Sequence, residues 1–308
     1  MNKKFRKILM MGQYELKAYL KNVLKSSGYK VVDGDGYLYA KGTEPYLLTA
    51  HMDTVHKQRI KTIDEFVDAS ECHIITSPQG IGGDDRCGVY MILELIKKHK
   101  CSVLFCEDEE IGGVGSGKFC KTKYIDDLKE MKFLIELDRQ GKRDAVFYDC
   151  DNEDFIKFVE NETGFREEWG TFSDISHLAP ACGVAAVNLS VGYYKQHTTS
   201  EYIVLEEMEA AIKATERLIE AECPNQFEYI EARYWKSAYD SAYEYYGGYY
   251  NEKELVYAEY EYEVCYEENG EWKYQDIPAS SMREAVGAFL MEHDEMRFKD
   301  IVDVYMIS

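Results

Sequence analysis

Two histidines and three carboxylates stand out among the 308 residues because of where they fall: His51, Asp85, Glu110, Asp138 and His197. A divalent ion such as zinc takes imidazole nitrogen and carboxylate oxygen, and a catalytic site leaves one position open for water. Two ions sharing one carboxylate need two imidazoles and three acids, which is the inventory present. Taken singly, each has a plainer reading. A lone histidine after a strand is usually hydrogen-bonded or at the surface, and a lone Asp before a glycine is usually a turn.

The elements that must carry these residues repeat one plan. Short apolar runs ending at Ala50, Cys106, Leu137 and Val191 read as buried strands. They are followed by His51, by the acids Glu107-Asp108-Glu109-Glu110, by Asp138, and by the segment reaching His197. Helical spacing appears between them, at Leu16–Leu24, Val89–Ile96 and Leu205–Glu222. Strands alternating with helices predict an α/β fold, a mostly parallel sheet with helices on both faces. Ligands in such sheets collect beyond the carboxyl ends of the strands. Asp33-Gly34-Asp35-Gly36 predicts a hairpin turn, and residues 57–79 an irregular stretch with an edge hairpin.

Composition narrows the function classes. A net charge of −21 argues against binding nucleic acid or an anionic membrane, since both are polyanions. Nine cysteines without a CxxC pair suit free thiols in a reducing cytoplasm better than a disulfide framework. Met1–Phe5 is basic with no apolar segment behind it, and no apolar run reaches membrane-spanning length.

Five segments together resemble the co-catalytic di-zinc exopeptidase superfamily, which includes zinc aminopeptidases, peptidase T and carboxypeptidase G-type enzymes. HMDTV at 51–55 resembles its His-x-Asp strand end, and GGDDRCG at 82–88 its Gly-x-Asp-Asp-x-x-Gly loop. EDEEIGG at 107–113, LDRQG at 137–141 and QHTTSEYI at 196–203 are similar to its remaining elements, in the same order. The likeness spans about residues 13–222.

The resemblance implies two divalent ions, zinc first and cobalt or manganese as alternatives. It makes His51 and His197 terminal ligands, Asp85 the bridging carboxylate (it stands three residues before Gly88), and Glu110 and Asp138 one further ligand each. Asp53 is then the partner of the second His51 nitrogen, and Glu109 the general base. It also makes Ser173, Asp174, Tyr193 and Tyr194 candidate substrate contacts. The short gaps from His51 to Asp85 and from Asp138 to His197 imply a compact form without a lid domain. The expected activity is hydrolysis of amide bonds in peptides, by an aminopeptidase or dipeptidase. The alternatives are an N-acyl amino-acid deacylase and a silent metal-binding scaffold.

Other chemistries fit worse. Gly112–Lys118 satisfies Gly-x-x-x-x-Gly-Lys, but Phe119 stands where a phosphate loop needs Ser or Thr, and four acids precede it. Cys87 and Ser116 lack a sequence context that supplies a base, and Ser116 lacks the G-x-S-x-G elbow. Past Pro224 the composition turns tyrosine-rich. The expected organisation is a catalytic domain over 1–223, a tyrosine-rich acidic linker over 224–256, and a ββαβ module over 257–308.

Overall fold

The computed structural model describes residues 1–170, 172–223, 225–231, 260–268, 271–279, 285, 288–289, 293 and 301–306. The chain divides into two units, Met1–Glu167 with Ser173–Ile230, and Glu168–Phe172 with Glu231–Ser308.

In the first unit, helices α1 (Lys3–Leu9) and α2 (Gln13–Ser26) precede a hairpin of β1 (Val31–Gly34) and β2 (Tyr37–Ala40). Its turn is made by Asp35-Gly36, and Gly36 supplies the positive φ of 85° that such a turn requires. Then come β3 (Tyr46–His51), β4 (Asp64–Val67), β5 (His73–Thr76), α3 (Gly83–Leu95) and β6 (Ser102–Cys106). After these follow α4 (Val114–Phe119), α5 (Ile125–Leu128), β7 (Phe133–Arg139), β8 (Asp144–Val146), α6 (Glu153–Thr163) and β9 (Arg166–Glu168). The unit closes with α7 (Ile175–Cys182), β10 (Ala186–Ser190), β11 (Tyr193–Tyr194), β12 (Tyr202–Val204) and α8 (Leu205–Glu220).

The main sheet runs β1-β2-β6-β3-β7-β10-β8-β9. Its four central strands, β6, β3, β7 and β10, are parallel, while β2, β1 and β8 pair antiparallel beside them. Every residue of β3 and β6 is buried, as expected for strands covered on both faces. Successive side chains of one strand go to opposite faces. Leu48, Ala50, Val103 and Phe105 join one core with α1, α2, α3, α6 and α8. Leu47, Leu104 and Cys106 join the other with α4, α5 and α7. Leu16, Leu20 and Leu24 form the inward stripe of α2.

A second, antiparallel sheet, β11-β12-β5-β4, absorbs the polar stretch at 57–79, with the β4–β5 hairpin at its edge. Helices α4, α5 and α7 were not evident from periodicity. The segment carrying the candidate contacts Ser173 and Asp174 leads into α7, a helix with Pro180 inside it that hides its signal. Thr171 itself lies outside the described residues.

In the second unit, β13 (Tyr260–Glu268) pairs antiparallel with both β14 (Glu271–Ala279) and β15 (Ile301–Met306). Tyr262, Val264 and Tyr266 alternate inward onto Ile277, Ala285, Phe289, Ile301 and Val304. Of the stretch expected as a linker, residues 232–256 lie outside the described residues. Residues 225–230 belong to the first unit: Phe227 N–H donates to Lys132 O at 2.9 Å, and its ring packs on Phe133, Phe155 and Phe158. No helix among the described residues is long and apolar enough to cross a membrane, and the nine cysteines are free.

Candidate metal centre

The parallel strands bring their carboxyl ends to one edge, where His51 is the last residue of β3 and Asp138 lies near the end of β7. The acid run follows β6, whose Cys106 pairs with His51. His51 is buried, and Asp53 accepts from one face of the ring, Nδ1 to Oδ1 at 3.2 Å. The other ring nitrogen, Nε2, is 2.9 Å from Asp84 Oδ1 and 3.3 Å from Asp138 Oδ1. On the far side of Asp84, its Oδ2 lies 3.3 Å from His197 Nε2, which is also 2.9 Å from Glu110 Oε2.

Two donor groups therefore meet at one residue. His51, Asp84 and Asp138 form one; Asp84, Glu110 and His197 form the other, with ligand atoms within 4.8 Å of one another. Asp85 is the residue expected at that junction; the residue common to both groups is Asp84. Asp85 is fully buried, and its oxygens accept from Gly88 N at 2.9 Å and His51 N at 3.2 Å. Its three-residue offset from Gly88 is the spacing of a helix-start hydrogen bond rather than of a ligand. Gly88 is required for a second reason: a Cβ there would stand 1.7 Å from Leu137 O, where α3 crosses β7.

The backbone that presents Asp84 is irregular. Asp84 and Asp85 are non-helical, at φ −79°, ψ 104° and φ −117°, ψ 48°, and the peptide bond between them is cis. Glu201, fully buried on the segment that follows His197, holds this loop. Its Oε1 accepts from Asp84 N at 3.0 Å, and its Oε2 from Gly82 N at 2.9 Å and His56 Nε2 at 2.7 Å.

The four acids after β6 are held by three residues. Glu107 pairs with Lys17 at 2.5 Å, and Asp108 Oδ1 accepts from Gln13 Nε2 at 3.0 Å. The backbone N–H groups of Glu109 and Glu110 donate to the two oxygens of Asp53, each at 3.1 Å. Asp53 thus orients His51 and fixes the turn carrying Glu109 and Glu110. Glycines end the turn, Gly112 and Gly113 having φ of 102° and 63°. Lys118, the residue that suggested a phosphate loop, instead pairs with Asp35 at 2.9 Å.

The electrostatics are those of a site short of positive charge. Burial pushes the Glu109 carboxyl up to about 9; His51 opposes this, while Asp138, Asp174 and Asp84 add to it. Burial also lifts Asp138 to about 7, against the pull of His51. Hydrogen bonds to Asp84 and Glu110 raise His197 to about 10. Burial opposes charge on His51, but Asp138, Asp53 and Asp84 outweigh it and hold its pKa well above the ordinary value. Buried and without hydrogen-bond partners, Glu110 Oε1 and Asp138 Oδ1 are orphaned lone pairs in a carboxylate-rich cluster. A divalent cation between the imidazoles and acids would satisfy both oxygens and the missing charge, so the donor set fits such ions.

Of the four candidate substrate residues, Ser173, Asp174 and Tyr193 are buried and Tyr194 is partly so. Ser173 is buried, and its Oγ donates to Asp138 Oδ2 at 3.1 Å. Asp174 is fully buried, which raises its carboxyl. Tyr193 is buried too, its hydroxyl donating to Asp138 O at 2.6 Å. Tyr194 points to α8, donating to Glu207 and stacking on Tyr202 at 5.1 Å. Ser173 and Tyr193 thus both hydrogen-bond to Asp138.

Sequence reasoning also passed over Glu136 and Glu201. Glu136 is fully buried, two residues before Asp138 on the same face of β7, and the Ile175 N–H approaches its Oε2 at 3.4 Å. Strand alternation was the signal available for it. Glu201 lies inside the QHTTSEYI segment, four residues after His197. Ser116, set aside above as a nucleophile, does face His177 Nδ1 at 3.1 Å, yet it is fully buried and also donates to Gly113 O.

The profile of Peptidase family M28 matches residues 36–214, more than half of the chain. No curated protein sequence matches it. Among solved structures, the chain is similar to aminopeptidase PepT from Bacillus cereus, at TM-score 0.58 and 16% identity over 70% of this chain and 96% of that one. A tripeptidase from Staphylococcus aureus aligns at TM-score 0.57 and 15% identity, over 70% and 96%. A Zn-dependent exopeptidase from Parabacteroides distasonis aligns at 0.51 and 13%, over 70% and 95%. At these identities the structural likeness speaks to the fold.

Proposed function

The chain belongs to Peptidase family M28, and on that premise we propose that this metallopeptidase is an exopeptidase, an aminopeptidase or dipeptidase holding two zinc ions. The observation that carries the proposal is the position of Asp84, whose two oxygens face His51 at 2.9 Å and His197 at 3.3 Å. One ion would be held by His51, Asp138 and Asp84, the other by His197, Glu110 and Asp84. When bound, such ions lower the pKa of a coordinated water and polarise the scissile carbonyl.

The protein's own residues do the rest. Asp53 fixes the His51 ring through Nδ1, which leaves Nε2 as the donor. Through the N–H groups of Glu109 and Glu110, the same carboxylate sets two adjacent side chains to different tasks. Glu109 takes the proton of the attacking water on its carboxylate and returns it to the leaving amine. Its pKa in the ion-free protein is raised first by burial and then by the neighbouring acids, and bound cations would lower it toward the ionised form a base requires. Glu201 keeps the Asp84 loop against the segment carrying His197.

The setting proposed is cytoplasmic, consistent with nine free thiols. The test is direct. Protein supplied with zinc, cobalt or manganese is offered a panel of dipeptides, tripeptides, aminoacyl-anilides and N-acyl amino acids. Release of an N-terminal residue, abolished by a chelator and restored by metal, supports the reading. Turnover confined to N-acyl amino acids, or none on any substrate, overturns it.

A further inference from the structure

A second histidine–carboxylate cluster lies at the opposite edge of the sheet. His99 precedes β6, while Glu216 and Glu220 stand one turn apart on α8, so both acids share one helix face. His99 Nε2 is 3.7 Å from Glu216 Oε1 and 3.6 Å from Glu220 Oε1, and it is buried with no hydrogen-bond partner. Its other ring nitrogen, Nδ1, is 3.5 Å from Glu44 Oε2. Glu44 is itself anchored, its Oε1 accepting from Lys100 N at 2.8 Å.

The distances carry the meaning. A hydrogen-bonded imidazole–carboxylate pair would close to about 2.7–3.2 Å. Ligands of a tetrahedral ion at roughly 2.0–2.2 Å are separated by about 3.3–3.6 Å, the edge of that tetrahedron. The gaps from Nε2 to both glutamates are within a few tenths of an ångström of that edge. The three donor atoms all lie within 4.8 Å of one another, and Glu44 stands behind Nδ1 on the far side of the ring. Three carboxylates, from Glu44, Glu216 and Glu220, face one imidazole there, with Lys98 Nζ on Glu216 Oε1 at 2.5 Å as the partly compensating cation. The Lys98 side chain is 69% exposed and can swing away.

We propose that His99, Glu216 and Glu220 form a separate zinc-type site that pins the segment after α3 to α8, remote from the peptidase centre. Its ion is structural: the ligands come from two elements that already pack together, and none belongs to the catalytic edge. The claim stands independently of the hydrolytic reading.

The test is zinc titration of metal-depleted full-length protein, monitored by a competing chromophoric chelator and by thermal melting. Wild type should bind one more zinc per chain than the Glu216→Gln/Glu220→Gln double variant, which should keep its peptidase activity. Lys98→Met should tighten that extra site, since it removes the competing ammonium. His99→Ala should lose the ion as well. If the double variant binds as many zinc ions as wild type, with the same zinc-dependent rise in melting temperature, the cluster is an ordinary ion-pair network and the proposal is wrong. Weaker zinc binding after Lys98→Met would contradict it equally.

Discussion

Asp84 and Asp85 are neighbours in the chain whose carboxylates serve different elements. Asp84 faces the imidazoles of His51 and His197, whereas Asp85 turns inward to the N–H groups of Gly88 and His51. The two substitutions should therefore separate. Asp84→Asn should abolish activity and the uptake of both catalytic ions, with the fold retained by circular dichroism. Asp85→Asn keeps a hydrogen-bond acceptor and should retain ions at reduced stability, by about 1–3 kcal/mol for an impaired buried hydrogen bond, measured by urea unfolding. Retention of both ions in Asp84→Asn would place the junction elsewhere.

Glu109 and Glu110 should also divide. Glu109→Gln should keep both ions and lose turnover by on the order of 10²–10⁴, as for removal of a general base. Stopped assays together with metal analysis of the same sample give both quantities. Ion loss from Glu109→Gln would show that the two roles are exchanged.

Much of this site was legible from the ends of strands. Buried apolar runs that stop at a polar residue placed His51, Glu110 and Asp138 on one edge, and helix–strand alternation gave the parallel sheet. The Asp84/Asp85 choice was not legible, because a one-residue offset in a loop has no periodicity behind it. The glycine spacing singles out Asp85, and what it marks in the fold is the helix-start hydrogen bond from Gly88 N. Glu201 was hidden for a related reason: its task is to receive backbone N–H groups 117 and 119 residues away, which only the folded chain brings near. The hydrogen bonds of Tyr193 and Ser173 to Asp138 were hidden likewise, since their partners lie 55 and 35 residues away in the chain.

Glu201 should act through position. Glu201→Ala removes the acceptor for Asp84 N and Gly82 N, so it should weaken metal uptake and lower kcat more than it raises KM. Glu201→Gln, which retains one acceptor oxygen, should recover part of the loss. An alanine variant with unchanged metal affinity would remove Glu201 from the account. The comparison is made by metal titration beside steady-state kinetics.

Gly88 makes a prediction about stability alone. A Cβ at this position would collide with Leu137 O at 1.7 Å and Asp85 Oδ1 at 2.6 Å, so backbone must move. Gly88→Ala should lower the unfolding free energy by about 3 kcal/mol or more, the upper range for overpacking a core. A urea midpoint equal to wild type would show that α3 can shift away from β7 freely.

The central claim is that two ions share the carboxylate of Asp84. Anomalous diffraction from zinc-loaded crystals, collected on both sides of the zinc edge, tests it most directly. Two peaks roughly 3.5–4 Å apart are expected, one beside His51 and Asp138 and the other beside Glu110 and His197, with Asp84 between them. A single peak at this edge of the sheet, or a pair bridged by any other residue, would contradict it.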